Sequence, residues 1–596
     1  MKYSADFETT TDENDCRVWA WGLCEIGDPD YFVYDNNIDS LIEFMENSNN
    51  STFYFHNLKF DAIFILAWLF EHGFKHVTNK DDEKTKTFTT LISDKGQFYS
   101  IKIIFEVNGN KKKFVKIYDS LKVLPFSVSD IAKAFGLPIN KLEIDYKAYR
   151  PIGHILTAKE ILYLRNDVQI VANALNTLFS QGLTKMTQAS NAFSDYKDVV
   201  GELNFKSWFP MPHYDADVRQ CYRGGFTYVN PKYKGKDIKT GLVFDVNSLY
   251  PYVMRDCPLP YDEPIFFKGK YEPDELYPLY VQMLTCQFEL KKDHIPTIQL
   301  KNNLAFMPTE YLTSSEDEDV TMCLTSVDLE LFFEHYDVYC LEFHSGWKFK
   351  SATGLFTDYI DKWTAVKIDA DKTGNKGMRT LAKLMLNALY GKFALNPIVQ
   401  SKIPYYDDGV VKFVLGEKET RDPVYIPVGA FITAHARYKT ISTAQKLYKN
   451  FVYADTDSVH LDIELPDSII QMSEKELSSM TTKDLKNYGL DFPDDFIVHP
   501  NQLGAWKLES SFMRARFIRQ KSYIEDSNHP VTWNRPYLYD PDLLKITCAG
   551  MPSSCYQYVT WDNFHVGATY KGKLQSKQVK GGTILKETEF TIKPIY

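Results

Sequence analysis

At 596 residues the chain exceeds what one ordinary hydrophobic core supports, so several packed subdomains are expected. The formal net charge of −10 excludes phosphate binding through net charge alone and leaves that role to locally basic segments. Nine scattered cysteines without a CxxC pair exclude a disulfide framework and a structural zinc cluster. The longest apolar run, near residues 60–70, is too short for a bilayer, so a soluble cytosolic protein is expected.

The N-terminal third alternates strand-like runs ("KYSADFETT", "STFYFHN", "FYSIKIIFEV") with helical ones ("DAIFILAWLFEHG", "TAKEILYLRNDVQIVANALNTLF"), which predicts an α/β domain of about 185 residues. In "ADFETT", Asp6 and Glu8 share one strand face. "HNLKFD" adds Asp61 at a helix start, and "YLRND" places Tyr163 and Asp167 at i and i+4 on one helix face. Each acid alone is commonly a cap or a solvated residue. Four of them on three elements match a two-metal phosphodiesterase, with Tyr163 orienting the water.

Further along, "GLVFDVNSLYP" runs a buried strand into Asp245 and starts a helix near Asn247 or Ser248. A helical stretch follows Gly354, up to about Leu395. In it Lys383, Asn387 and Tyr390 form one polar stripe with Gly391 as terminator, and Lys367 and Arg379 lie in the same basic segment. A cation and two polar groups on one stripe suit a triphosphate and a base or sugar better than a core. "KIPYY" and "VVKFVLG" then predict a hairpin turning at Gly409, ahead of another helix, "AFITAHARYKTISTAQKLY". In "VYADTDSVHL", Asp455 and Asp457 are two apart. In a strand or tight hairpin they would share a face and repel unless a cation lay between them, the bland alternative being an Asx turn. The basic segments "MRARFIRQKSY" and "YKGKLQSKQVKGG" and an aromatic content of 15% supply charge and stacking faces.

Together, "DFE", "NLKFD", "YLRND", "DVNSLYP", "KLMLNALYG" and "YADTDS" resemble the exonuclease and polymerase motifs of protein-primed family B DNA polymerases, such as those of small tailed Bacillus phages. "YRGGF", "TGLFTDYIDKW", "RQKSY" and "CAGM" extend the resemblance over essentially the whole chain. It implies an α/β plus α+β multidomain fold, an RNase H-like 3′–5′ exonuclease domain followed by a right-hand palm, fingers and thumb. It also implies that Asp245, the Val246 carbonyl and Asp457 hold metal with Asp455 in support, while Asp6, Glu8, Asp61 and Asp167 hold the exonuclease metals with Lys141 assisting. Two Mg²⁺ per site are implied, with Mn²⁺ as a substitute. Lys367, Arg379, Lys383, Asn387, Tyr250 and Tyr390 would bind the dNTP, Tyr250 crowding a ribose 2′-hydroxyl. Thr9, His56, Asn57, Phe60, Ser120, Leu121 and Tyr146 would hold a frayed strand. Tyr222, Arg223, Gly224, Gly225 and Phe226 would contact template, and Lys521 and Tyr523 the primer terminus.

The same resemblance divides the chain into exonuclease (1–185), palm (186–256 and 421–525), fingers (356–396), thumb and tail (526–596), and two insertions. The first insertion (257–355) is associated with a terminal priming protein, the second (397–420) with processivity and strand displacement. The fingers segment "IDADKTGNKGMRT" is longer than the family pattern. The expected protein is a monomeric viral replicase in the cytoplasm of an infected bacterium, working with primer-template DNA, dNTPs and a phage single-strand-binding protein and without a membrane. Of two rivals, a nuclease with the palm as a binding platform requires the palm carboxylates to be inert, and a noncatalytic structural or single-strand-binding protein would have lost acids from at least one site; both sets are present.

Overall fold

The computed structural model describes residues 1–48, 50–299 and 311–594. Residues 300–310 of the first insertion and 595–596 of the tail lie outside the described residues.

The N-terminal unit is an eight-stranded sheet. Strand Lys2–Thr9 pairs antiparallel with Val18–Glu25 and parallel with Thr52–Phe55, which runs parallel to Lys111–Asp119. Helix Leu58–Glu71 is apolar nearly all round because it is buried between this sheet and later parts of the chain. Helix Ala158–Ser180 starts at a capping box made by Thr157 and Glu160 and packs along the first two strands. These elements bring the ends of three distant segments to one place.

A five-stranded sheet forms the second centre, in the order Trp506–Phe512, Gly241–Val246, Ser458–Asp462, Phe451–Asp455, Thr227–Val229. Antiparallel register sets Asp245 opposite Ser458 on one side and Lys507 on the other. The buried helix Ile426–Lys446 lies behind it. The stretch 186–219, the start of the expected palm, is helical (Gln188–Val200, Glu202–Trp208, Asp215–Arg219). It packs on the fingers, with Asp195 accepting hydrogen bonds from Lys362 and Trp363. Residues 257–355 build their own antiparallel sheet of four strands with helix Ser326–His335 against it.

The longer fingers segment forms two helices, Thr357–Thr373 and Lys376–Ala388. The turn between them is Gly374, at φ 70°, and Asn375, whose side chain caps the second helix. Thr380 donates to the Ala134 carbonyl 2.8 Å away, so the pair leans on the N-terminal unit. The expected single stripe is shortened, because the helix ends at Ala388 and Tyr390 opens a 3₁₀ turn. Gly391 sits inside that turn with negative φ and terminates nothing.

Strands Ile398–Asp407 and Val410–Thr420 form the expected hairpin around Asp408 and Gly409, both at positive φ. An isolated hairpin is marginal. This one is buttressed: Tyr406 stacks on Phe70 at 5.5 Å, and Phe413 meets Phe98 edge-on at 5.8 Å. Its turn meets a second hairpin, Thr569–Val579 with Gly582–Thr591, where the Gly581 amide donates to the Gly409 carbonyl at 3.3 Å. Gly582 lies against Phe64, whose ring a Cβ at 582 would enter at 2.2 Å. The two hairpins and the N-terminal unit therefore touch in a closed circuit.

Candidate active sites

In the N-terminal unit Asp6 and Glu8 come from the first strand, Asp61 from helix Leu58–Glu71, and Tyr163 and Asp167 from helix Ala158–Ser180, as their spacing predicts. Glu8, Asp61 and Asp167 are buried. Burial first, and then the neighbouring carboxylates, push Asp6, Glu8 and Asp61 well up, and burial raises Asp167. Lys141 bonds Asp167 at 2.7 Å, and the Asp167 Oδ1 is buried without a hydrogen-bond partner. Four hard oxygen donors beside one lysine are a charge deficit of the kind a divalent cation fits. The carboxylates lie within electrostatic reach of one another, though no trio among the described residues stands at cation-binding spacing. Tyr163 shares a 2.6 Å hydrogen bond with Tyr146, which is half exposed and open to a strand.

Asn57, at φ 66°, is exposed, and Phe60, Leu121 and Thr9 are partly exposed. Ser120 is different. It is fully buried, bonding the Phe55 carbonyl and His56 at 3.2 and 3.0 Å, and His56 also bonds the Phe126 carbonyl. In the structure the two residues support the loop that carries Leu121, Ser120 from within the core and His56 from a partly exposed position. Sequence reading missed Asp119, whose Oδ1 accepts the amides of Asn57, Leu58 and Leu121 at 3.0–3.3 Å and so locks two loops together. An acid at a strand end followed by "SL" carries the signal of a cap.

The second site is a cleft of about 1090 Å³. Asp245, Val246, Tyr250, Lys367, Arg379, Lys383, Asn387, Tyr390 and Asp457 all line it, as expected. Lys507, Glu509 and Asp371 line it too and were missed. The alternation Trp506–Lys507–Leu508–Glu509 could have found the strand pair. Asp245 and Asp457 are raised by burial, and Asp245 next by Asp457 and Glu509. The Val246 amide donates to the Asp457 carbonyl at 2.8 Å, which ties the two aspartate loops together. Hard carboxylates gathered in one cleft, with Asp245 raised by its acidic neighbours, again fit a divalent cation. On the opposite wall, burial and then the neighbouring cations Arg379, Lys367 and Lys507 lower the pKa of Lys383, and Lys367 is lowered in the same way. Tyr250 and Tyr390 stack at 4.1 Å at the floor.

Asp455 and Asp457 do not share a face. Asp455 ends its strand opposite Ser458, Thr456 takes φ 58°, and Asp457 lies in the turn, so the two side chains diverge. Asp455 takes Lys521 on both oxygens, at 2.7 and 2.8 Å, plus the hydroxyl of Thr227. Tyr523, expected at the primer terminus, is largely buried against Tyr453, His460 and Phe517. Lys521 is the exposed member of that pair.

Within "YRGGF", Arg223 and Phe226 are buried, which contradicts their expected template contact. Arg223 donates to the carbonyls of Gln299 and Cys323. A Cβ on Gly225 would come within 2.6 Å of the Thr456 hydroxyl, and the Thr456 amide bonds the Phe226 carbonyl, so the motif braces the aspartate turn. Arg437, paired with Asp328 at 2.7 Å, donates to the carbonyls of Arg223 and Gly224 and holds the loop from behind. Gly224 is exposed and Tyr222 half-buried at the surface.

The sequence matches the family described as DNA polymerase type B, organellar and viral, at residues 42–158 and 149–475. It is 46% identical to the DNA polymerases of Bacillus phage Nf and Bacillus phage phi29, over 99% of this chain and of each relative. It is 31% identical to the DNA polymerase of Streptococcus phage Cp-1, over 99% of this chain and 98% of that one. Phi29 DNA polymerase complexed with primer-template DNA and incoming nucleotide superposes with a TM-score of 0.87 at 44% identity, covering 99% of this chain and 100% of that one. Two carboxylate sites, each built around a sheet of its own, in a chain this similar over its whole length, make it a member of the type B DNA polymerases: a phage-type DNA-directed DNA polymerase with an exonuclease-type domain ahead of palm, fingers and thumb.

Proposed function

We propose that this polymerase is a proofreading, protein-primed, strand-displacing replicase. The observation that carries the proofreading part is the N-terminal carboxylate cluster, Asp6, Glu8, Asp61 and Asp167, gathered from one strand and two helices beside Lys141. Asp245, the Val246 carbonyl and Asp457 would hold Mg²⁺ in the palm, and the N-terminal four would hold it in the exonuclease site. When bound, the ions supply charge neutralisation and activation of the attacking oxygen. The protein's own part is positioning: Lys367, Arg379, Lys383 and Lys507 receive the triphosphate, Tyr250 and Tyr390 part to admit sugar and base, and Lys521 reaches toward the primer end. Primer-template DNA and dNTPs are the proposed partners, as in the phi29 enzyme's complexes. The separate sheet of residues 257–355 offers a terminal protein a surface of its own. Primer extension and single-strand digestion, each with and without Mg²⁺, test the reading. Digestion absent under conditions that support extension would remove the proofreading role.

Tyr250→Val admits ribonucleotides, because a steric filter rejects the wrong sugar by overlap. The ratio of incorporation efficiencies for dNTP over rNTP drops by about tenfold or more, roughly 1.4 kcal/mol. An unchanged ratio takes Tyr250 out of the filter.

The closed circuit of hairpins supports strand displacement: a ring around the DNA raises persistence by topology and passes one strand only. Replacing residues 399–418 by a short Gly/Ser linker leaves extension of short primers nearly intact. On a long primed circle, products shorten and synthesis stalls at downstream duplex. Wild-type product length in a single binding event rules the ring out.

A further inference from the structure

The cleft holds four carboxylates among its described lining residues, and three of them, Asp245, Asp457 and Glu509, belong to the palm side. The fourth, Asp371, stands on the fingers among the cations. It lies in the last turns of helix Thr357–Thr373 and forms an ion pair with Arg379 in the first turn of helix Lys376–Ala388. Both side chains are about half exposed, at 49% and 41%, on the wall that also carries Lys367 and Lys383.

A plain structural stitch is the alternative reading. The helix pair has little need of one: Gly374 takes the left-handed conformation that ends the first helix, Asn375 caps the second, and Thr380 fastens it to the N-terminal unit. Exposed pairs of this kind contribute too little to define the turn but enough to bias a ligand equilibrium severalfold. A triphosphate entering this wall meets a guanidinium already held by a carboxylate.

We propose that Asp371 is an electrostatic gate on the triphosphate cleft: it occupies Arg379 while the cleft lacks a nucleotide, and the incoming triphosphate takes the guanidinium from it. This rests on the reading of the cleft as the triphosphate site. The gate sets a threshold on nucleotide affinity. A ligand with fewer charged phosphate oxygens competes less well for Arg379 than a triphosphate, so the same pair sharpens preference for the triphosphate over the diphosphate.

Single-nucleotide incorporation by the full-length enzyme tests it. Asp371→Asn lowers KM for dNTP by about two- to fivefold, the range an exposed pair can supply, with kcat close to wild type. Inorganic tripolyphosphate becomes a correspondingly stronger competitive inhibitor, and Asp371→Glu restores the wild-type values. Arg379→Gln raises KM, and adding Asp371→Asn to it lowers KM no further. An unchanged or higher KM in Asp371→Asn, or an equal fall in the Arg379→Gln background, overturns the gate while leaving the cleft reading standing. A wild-type KM in Arg379→Gln overturns the cleft assignment of Arg379 and the gate with it.

Discussion

Replacing Asp457 or Asp245 by alanine removes nucleotide incorporation, by at least about a thousandfold or roughly 4 kcal/mol of transition-state stabilisation. Asp245 ends a strand of the palm sheet and Asp457 lies in the turn between two others, burial and neighbouring acids raise both, and the Val246 amide bonds the Asp457 carbonyl. Taking one away leaves a single acid facing Glu509, which is less negative charge than two divalent ions require. The Lys521–Asp455 pair lies to one side, so the fold of the turn survives the loss of the Asp457 side chain. Digestion of single strands continues, because the N-terminal carboxylates come from other elements, a strand and two helices of the N-terminal unit. Extension and digestion measured on the same preparation settle the matter, and normal extension by either variant sinks the palm assignment.

The reciprocal change, Asp6→Ala with Glu8→Ala, abolishes digestion and preserves extension. Here the physical sign offers a control against simple unfolding. Asp6 and Glu8 are raised by burial and by the acids beside them, so with Lys141 already engaged by Asp167 their repulsion opposes folding at neutral pH. Removing both relieves it. In a chelating buffer the melting temperature of the variant is no lower than that of wild type, whereas added Mg²⁺ raises the wild-type value and has less effect on the variant. Persistent digestion at the wild-type rate would show that the reading of the N-terminal cluster is wrong. A lower melting temperature in chelator would show that the two acids are structural.

Local periodicity was enough for several of these results. Asp6 and Glu8 share a face because strands repeat every two residues, and Tyr163 and Asp167 because helices repeat every 3.6. The same logic placed Lys383 and Asn387 on the exposed side of a fingers helix, and the Asp408–Gly409 turn in the hairpin. Each depends only on neighbours in the chain.

Other outcomes depended on what the chain meets after folding. The two aspartates of "YADTDS" part company because Thr456 takes a left-handed conformation beneath Gly225, a contact between segments about 230 residues apart. Arg223, Phe226 and Ser120 carry the residue types of nucleic-acid contacts, yet packing turns them inward, where they hold carbonyls or fill the core. Asp119, Lys507, Glu509 and Asp371 gained their places from register and from helix pairing. The sequence by itself determined which acids and lysines could reach a site, since that follows from local geometry. Only the tertiary structure decided which of them face the cleft and which brace it, because burial is set by long-range packing that no local pattern encodes.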